Sequence, residues 1–153
     1  MKILVTFYSR DGHSKSVGEK IASILGAEID EIRDMKNRSG IVGWLVSGKD
    51  AATNKITEIE NKIDPTSYDL VIIGTPIWVG TVTPAVRAYL KKYKLNKVAF
   101  YCTCDDKQTK AWADMEKLSG TPVATMEMPD KILKAGGEEF ENKIKEFCEK
   151  INR

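Results

Sequence analysis

The stretch that decides the fold is Asp69-Leu70-Val71-Ile72-Ile73-Gly74, followed directly by Thr75-Pro76-Ile77-Trp78-Val79-Gly80. The first six residues form an almost continuous apolar run, which is typical of a strand buried on both faces of a parallel sheet. The next six predict a loop at the carboxyl end of that strand. Thr83 and Pro84 then predict a helix, capped by Thr83 and with Pro84 at its first position. An aromatic side chain on such a loop is suited to grip a flat, conjugated ligand.

A second loop, Ser9-Arg10-Asp11-Gly12-His13-Ser14, follows the first predicted strand and precedes a helix for which Ser14 is the predicted cap. A helix start offers unpaired N–H groups and the positive end of the helix dipole, which suit a phosphate group. Ser9 and Ser14 add hydroxyl donors, and Gly12 permits close backbone approach. The loop lacks the Gly-Lys-Ser/Thr of a P-loop and the three glycines of a dinucleotide fingerprint. Together the two loops predict a phosphorylated aromatic cofactor.

Strand and helix patterns alternate along the whole chain, which predicts a single α/β domain, residues 1–153, with a parallel sheet covered by helices on both faces. The predicted strands are residues 2–8, 27–32, 69–74, 97–103 and 122–128. The predicted helices are residues 14–25, 41–52, 84–93 and 107–118, with a last one carrying the stripe Phe140, Ile144, Phe147, Cys148 and Ile151. Segment 33–68 is the least readable, because Gly43 and Gly48 each weaken its helix by roughly 1 kcal/mol.

The bulk composition narrows the function classes. A chain of 153 residues with a net charge of +2 has no clustered basic footprint for nucleic acid, and no stretch approaches the roughly 18 apolar residues of a membrane span. We therefore expect a cytoplasmic protein without nucleic-acid or membrane partners. Cys102, Cys104 and Cys148 predict free thiols, and His13 is the only histidine, so no metal site is expected.

Both loops resemble those of the flavodoxin family. The family's phosphate loop, Ser/Thr-x-Thr-Gly-x-Thr, is matched at Ser9, Gly12 and, conservatively, Ser14, while Asp11 stands where the family prefers threonine. The Gly-Thr-Pro-Ile-Trp-x-Gly run of residues 74–80 is similar to one branch of the family, and the resemblance covers the whole order of elements. It implies a three-layer, doubly wound flavodoxin-like fold with five parallel strands in the order 2-1-3-4-5 and FMN at the switch point between strands one and three.

The resemblance also implies roles for named residues. It assigns the FMN phosphate to Ser9, Arg10, Asp11, Gly12, His13 and Ser14. It assigns one side of the isoalloxazine ring to Thr75, Pro76, Ile77, Trp78, Val79 and Gly80, with Trp78 stacking on or covering the ring. It assigns the other edge of the ring to Thr103, Cys104, Asp105 and Asp106. No residue is expected to act as an acid or base, and the implied partners are redox proteins.

Three functions stay open at this point. The leading hypothesis is an FMN-dependent electron-transfer protein. A flavoenzyme on the same fold is the second, either an NAD(P)H:quinone or flavin reductase or a protoporphyrinogen-oxidising type, and a binding module without flavin is the third. The apolar run Ile41–Val46 is interpreted first as core around Trp44, with a lid over the flavin or a partner-facing patch as alternatives. Trp112 and Cys148 are expected to pack in the core.

Overall fold

The computed structural model describes residues 1–53, 55–105 and 110–153, and the structural statements below concern these residues. The described strands are β1 Ile3–Phe7, β2 Glu28–Glu31, β3 Arg33–Asp34, β4 Ile59–Glu60, β5 Leu70–Trp78, β6 Thr81–Val82, β7 Val98–Cys104 and β8 Thr125–Pro129. The described helices are α1 His13–Leu25, α2 Gly40–Ala52, α3 Pro84–Lys92, α4 Ala111–Ser119, α5 Asp130–Ala135 and α6 Gly137–Asn152, with one 3-10 turn at Pro65–Ser67.

The central sheet has the order β2-β1-β5-β7-β8, and these strands are all parallel. Counting only these five long strands in chain order, this is the predicted order 2-1-3-4-5, so the predicted fold class is confirmed. β2 lies at one edge with two of its four residues exposed, as its mixed apolar and acidic sequence predicts. The carboxyl ends of β1, β5 and β7 therefore meet at one edge of the sheet, where ligands bind in open α/β sheets.

Alternating side chains of the central strands feed two separate cores, one on each face of the sheet. Val5, Ile72 and Tyr101 pack on the face covered by α1 and α6. Leu4 and Ile73 pack on the opposite face, which α3 and α4 cover. No described helix is long and apolar enough to cross a membrane.

Several helix ends agree with the sequence. Gly26, in the left-handed conformation, ends α1, and Gly120 ends α4. Thr83 caps α3, whose first residue is Pro84. The prediction that Ser14 caps α1 is wrong, because the helix begins at His13 and its cap is Gly12, with φ 87°.

The other differences concern short elements. β5 continues to Trp78 and turns back through Val79 and Gly80 into β6, so the predicted loop of residues 75–80 is mostly strand. Segment 33–68 contains, besides α2, the antiparallel pair β3 and β4. β8 begins three residues later than predicted, and the last helical segment is divided by Gly136 into α5 and α6. The predicted start of the fourth helix, at Lys107, lies outside the described residues, and the described helix begins at Ala111.

Candidate functional site

A cavity of about 470 Å³ lies at the carboxyl edge of the central sheet. Twelve of the residues predicted for cofactor binding line it, namely Ser9, Arg10, Asp11, His13, Ser14, Pro76, Ile77, Trp78, Val79, Thr103, Cys104 and Asp105. The three loops that the sequence singled out therefore converge on one space, as the strand order requires.

The remaining predicted residues occupy other places. Thr75 is fully buried, and its hydroxyl donates to the Pro76 carbonyl over 2.9 Å and lies 3.3 Å from the Thr83 hydroxyl. It therefore fastens the end of β5 to the start of α3. Gly12 and Gly80 shape the backbone of the two loops without lining the cavity. Asp106 lies outside the described residues.

The start of α1 forms the end of the cavity for which the sequence predicts a phosphate group. Gly12 caps this helix without a side-chain hydrogen bond, so the first N–H groups lack an Asp, Ser or Thr cap. Ser14 is buried, and its hydroxyl lies 2.9 Å from that of Thr103. The buried hydroxyl oxygen of Ser9 has no hydrogen-bond partner within the described residues. Because a buried polar atom is costly when unpaired, Ser9 fits a site that receives a polar ligand.

Tyr101 fixes the first turn of α1 against the sheet. Its fully buried hydroxyl donates to the Ser14 carbonyl over 2.7 Å, and burial raises its pKa well above the ordinary tyrosine value. The ring passes between Gly18 of α1 and Gly74 of β5, where an added Cβ would lie within 2.4 Å of Tyr101 atoms. Both positions therefore require glycine, and the phosphate-type loop is held in place by an aromatic from the neighbouring strand.

A β-hairpin forms the end of the cavity for which the sequence predicts a flat aromatic ring. Ile77 pairs with Val82 and Trp78 with Thr81, which leaves Val79 and Gly80 as the two turn residues. Their φ angles are 52° and 73°, as in the two-residue turns whose twist matches a hairpin. A positive φ is strained for a β-branched residue such as Val79. Backbone strain of this kind persists where the surroundings impose it and clusters at ligand sites.

Trp78 contacts an aromatic ring, that of Tyr8, and a cationic group, the guanidinium of Arg38. The ring of Tyr8 meets it edge-on, with centroids 5.5 Å apart, and the Arg38 guanidinium lies 5.7 Å from its centroid. Arg38 is itself buried and is paired with Asp34 and Asp50. Burial, followed by the charge of Asp34, raises the pKa of Tyr8 to about 12. Tyr8 and Arg38 therefore both contact the indole in the ligand-free protein.

A polar cluster holds the other strand of the hairpin. The Thr81 hydroxyl donates to the Asp114 carboxylate over 2.7 Å, and the Arg87 guanidinium lies 3.5 Å from the same carboxylate. The backbone N–H of Lys110 donates to the Gly80 carbonyl over 3.2 Å. Arg87 of α3 and Asp114 of α4 thus both hold β6, the second strand of the hairpin that carries Trp78.

The carboxyl end of β7 brings acidic groups to the cavity. The Asp105 carboxyl is hydrogen-bonded to that of Asp130, and this contact and the neighbouring charge raise the pKa of Asp105. His13 Nδ1 lies 3.8 Å from an oxygen of the same Asp130. Cys104 is buried, and a hydrogen bond from the Cys102 thiol lowers its pKa. Within the described residues, no three His, Cys, Asp or Glu side chains are grouped to hold a metal ion.

A further wall of the cavity was not among the predicted binding residues, although a lid over the flavin was one of the alternative interpretations of the run Ile41–Val46. Helix α2 contributes Trp44, Leu45, Ser47, Gly48 and Lys49, and the start of α5 contributes Asp130. The interpretation of Trp44 as core is wrong, since 64% of its surface is exposed. The excess of apolar residues in segment 41–46 was the available signal, whereas nothing near Asp130 in the sequence marks it. Trp112 and Cys148 do pack in the core, as predicted.

The fold and the three converging loops define an α/β protein with a candidate ligand site, a cavity at the switch point of its sheet. The family model described as Flavodoxin matches residues 2–151, so the chain belongs to the flavodoxin family. A comparison with curated proteins finds no match.

Many solved structures match the fold, and the following three do so at low sequence identity. A flavoprotein from Lactobacillus acidophilus NCFM, crystallised in complex with FMN, has a TM-score of 0.70 at 23% identity, covering 90% of this chain and 99% of that one. A WrbA-like flavodoxin protein from Agrobacterium tumefaciens has a TM-score of 0.60 at 12% identity, covering 99% and 95%. Oxidised Flavodoxin 2 from Bacillus cereus has a TM-score of 0.57 at 16% identity, covering 99% and 98%.

Proposed function

We propose that this protein binds FMN non-covalently in the cavity and transfers electrons through it to redox partner proteins. The observation that carries the proposal is that one cavity joins two features. One is the start of α1, which has no side-chain cap and lies beside a Ser9 hydroxyl without a partner among the described residues, and the other is the Trp78 hairpin. A phosphate group and a flat ring on one ligand match these two ends. Membership of the flavodoxin family, and a structural neighbour crystallised with FMN, support the same cofactor.

The residues divide the work of holding the cofactor. The N–H groups at the start of α1 and the hydroxyls of Ser9 and Ser14 bind the phosphate, while Asp11, which is exposed, keeps its charge in water. Trp78, held by Tyr8 and Arg38, supplies an apolar face for the ring. FMN itself supplies the redox chemistry, because its ring accepts and releases electrons. The protein's contribution is binding, orientation and the local field.

The charges around the ring set the direction in which the protein shifts the potential. Asp105 and Asp130 lie on one side of the cavity, and negative charge there disfavours an extra electron on the ligand. Arg38, near Trp78, is paired with Asp34 and Asp50, so its positive charge is balanced locally. Val79, at the rim, is 67% exposed, so electrons have a short path to a partner docked on the hairpin. Because the net charge is +2, we expect a redox partner to dock through apolar contacts with the hairpin rather than through attraction to an acidic surface.

One experiment distinguishes an electron carrier from a flavoenzyme that oxidises NAD(P)H itself. The protein is reconstituted with FMN and mixed with NADPH, a flavodoxin reductase and cytochrome c. A carrier passes electrons only when the reductase is present, and it consumes little NADPH with a quinone alone. Rapid NAD(P)H oxidation by the protein and a quinone, without reductase, would replace this proposal by the flavoenzyme hypothesis. A purified protein that takes up no FMN would exclude both.

A further inference from the structure

In helix α2 the usual burial pattern of a surface helix is reversed, with small or polar residues buried and large apolar residues exposed. Its buried residues include Gly43, Ser47 and Asp50, which are small or polar. Its exposed residues include large apolar ones, with Ile41 81%, Val42 74%, Trp44 64% and Leu45 59% exposed. An amphipathic helix normally turns its apolar stripe toward the core, and a group of exposed apolar side chains marks a binding surface.

Polar contacts hold the helix in this orientation. Asp50 accepts hydrogen bonds from Lys36 over 2.7 Å and from Arg38 over 3.0 Å. Gly43 lies against the backbone of Arg38, where an added Cβ would be 2.3 Å from the carbonyl carbon. The attachment of α2 therefore uses these polar and small residues together with the buried Ala51, and not its large exposed apolar side chains.

The exposed apolar residues divide into two pairs. Trp44 and Leu45 line the same cavity as Ser9 and Trp78, whereas Ile41 and Val42 do not. A ligand in that cavity would therefore contact Trp44 and Leu45. Residues 103–110, which end β7 and follow it in the sequence, include no aromatic residue, since they read Thr-Cys-Asp-Asp-Lys-Gln-Thr-Lys. Trp44 is thus the aromatic side chain that α2 brings to the cavity in addition to Trp78.

We propose that Trp44, supported by Leu45, is a flavin-binding residue, and that the isoalloxazine ring of FMN is covered by α2 as well as by the Trp78 hairpin. The inference rests on the proposed function, since it takes the cavity ligand to be FMN. A flat conjugated ring matches an indole wall because stacking of aromatic faces adds to the burial of apolar area.

The test compares Trp44→Ala with Ile41→Ala, since Ile41 is a still more exposed apolar residue on the same helix that does not line the cavity. Dissociation constants of FMN and riboflavin are measured by quenching of flavin fluorescence. We expect Trp44→Ala to weaken both ligands by a similar factor of about ten, and Trp44→Phe to restore most of the affinity. Ile41→Ala is expected to stay within about twofold of the wild type. Equal factors for the two ligands place the effect on the ring rather than on the phosphate.

The outcomes that overturn the inference are separate from those that overturn the proposed function. If the wild type binds FMN and Trp44→Ala binds it equally well, Trp44 is not a flavin residue, although the proposed function stands. A wild-type dimer that Trp44→Ala dissociates without a change in FMN affinity assigns the surface to a second copy instead. A wild type that binds no FMN overturns both. Because Trp44 is mostly exposed, unchanged far-UV circular dichroism is expected to show that each variant is folded.

Discussion

Ser9 shows how one residue can be poor for stability and useful for binding. Its hydroxyl oxygen is buried without a hydrogen-bond partner among the described residues, which costs free energy in the ligand-free protein. A phosphate oxygen bound at the start of α1 would accept a hydrogen bond from this hydroxyl. The sequence placed Ser9 in a phosphate loop by its position after β1, but burial and the missing partner are visible only in the folded chain.

The Ser9→Ala variant is predicted to separate these two roles. The hydrogen bond to a charged phosphate is worth about 1.5–3 kcal/mol, so FMN should bind roughly 10- to 100-fold more weakly. Riboflavin, which lacks the phosphate, should bind as to the wild type, and the ligand-free variant should be at least as resistant to urea. An equal loss of affinity for FMN and riboflavin would contradict the assignment of Ser9 to the phosphate.

Helix α2 is the element for which sequence patterns were least adequate. Apolar periodicity predicts which residues are buried, and on α2 this rule fails because ion pairs of Asp50 and the close contact of Gly43 decide the orientation. The five long strands and their order were predictable. The three central strands are continuous apolar runs, the two edge strands alternate apolar and polar residues, and parallel connections allow few topologies. The β5–β6 hairpin was not, because its turn residues, Val79 and Gly80, are an unusual pair for a tight turn.

A pair of glycine substitutions tests the orientation of α2. Gly43→Ala should lower the free energy of unfolding by about 1–3 kcal/mol, because its Cβ would overlap the Arg38 backbone. Gly48→Ala is the matched control on the same helix, where the added Cβ meets only the exposed side chain of Val79 at 3.3 Å. It should be neutral or stabilising by up to about 1 kcal/mol. Urea unfolding measures both, and equal effects of the two substitutions would contradict the contact with Arg38.

At the scale of the whole molecule, buried tyrosines couple stability to alkaline pH. Burial, as the largest cause, raises the pKa values of Tyr8, Tyr68, Tyr89 and Tyr101 above the ordinary value. Because these pKa values are higher in the folded state, the stabilisation is complete below the unfolded tyrosine pKa of about 10. It is lost as the pH rises from there through the folded-state values.

The free energy of unfolding is therefore predicted to fall between pH 9 and pH 11. Lysines also lose their charge in this range, so the comparison is made with Tyr101→Phe, which removes one buried phenol. Tyr101→Phe should be less stable at pH 9, since the hydrogen bond to the Ser14 carbonyl is lost, but its stability should fall less steeply toward pH 11. A slope equal to that of the wild type would show that Tyr101 does not contribute to the pH dependence.

The central claim is that one cavity holds the phosphate of FMN at the start of α1 and its ring at the Trp78 hairpin. The most direct test is an equilibrium titration of the ligand-free protein with FMN, followed by flavin fluorescence, with riboflavin titrated in parallel. We predict saturable binding of one FMN per chain, clearly tighter than riboflavin, together with quenching of tryptophan emission. Absence of saturable FMN binding, or equal affinity for the two flavins, would contradict the claim.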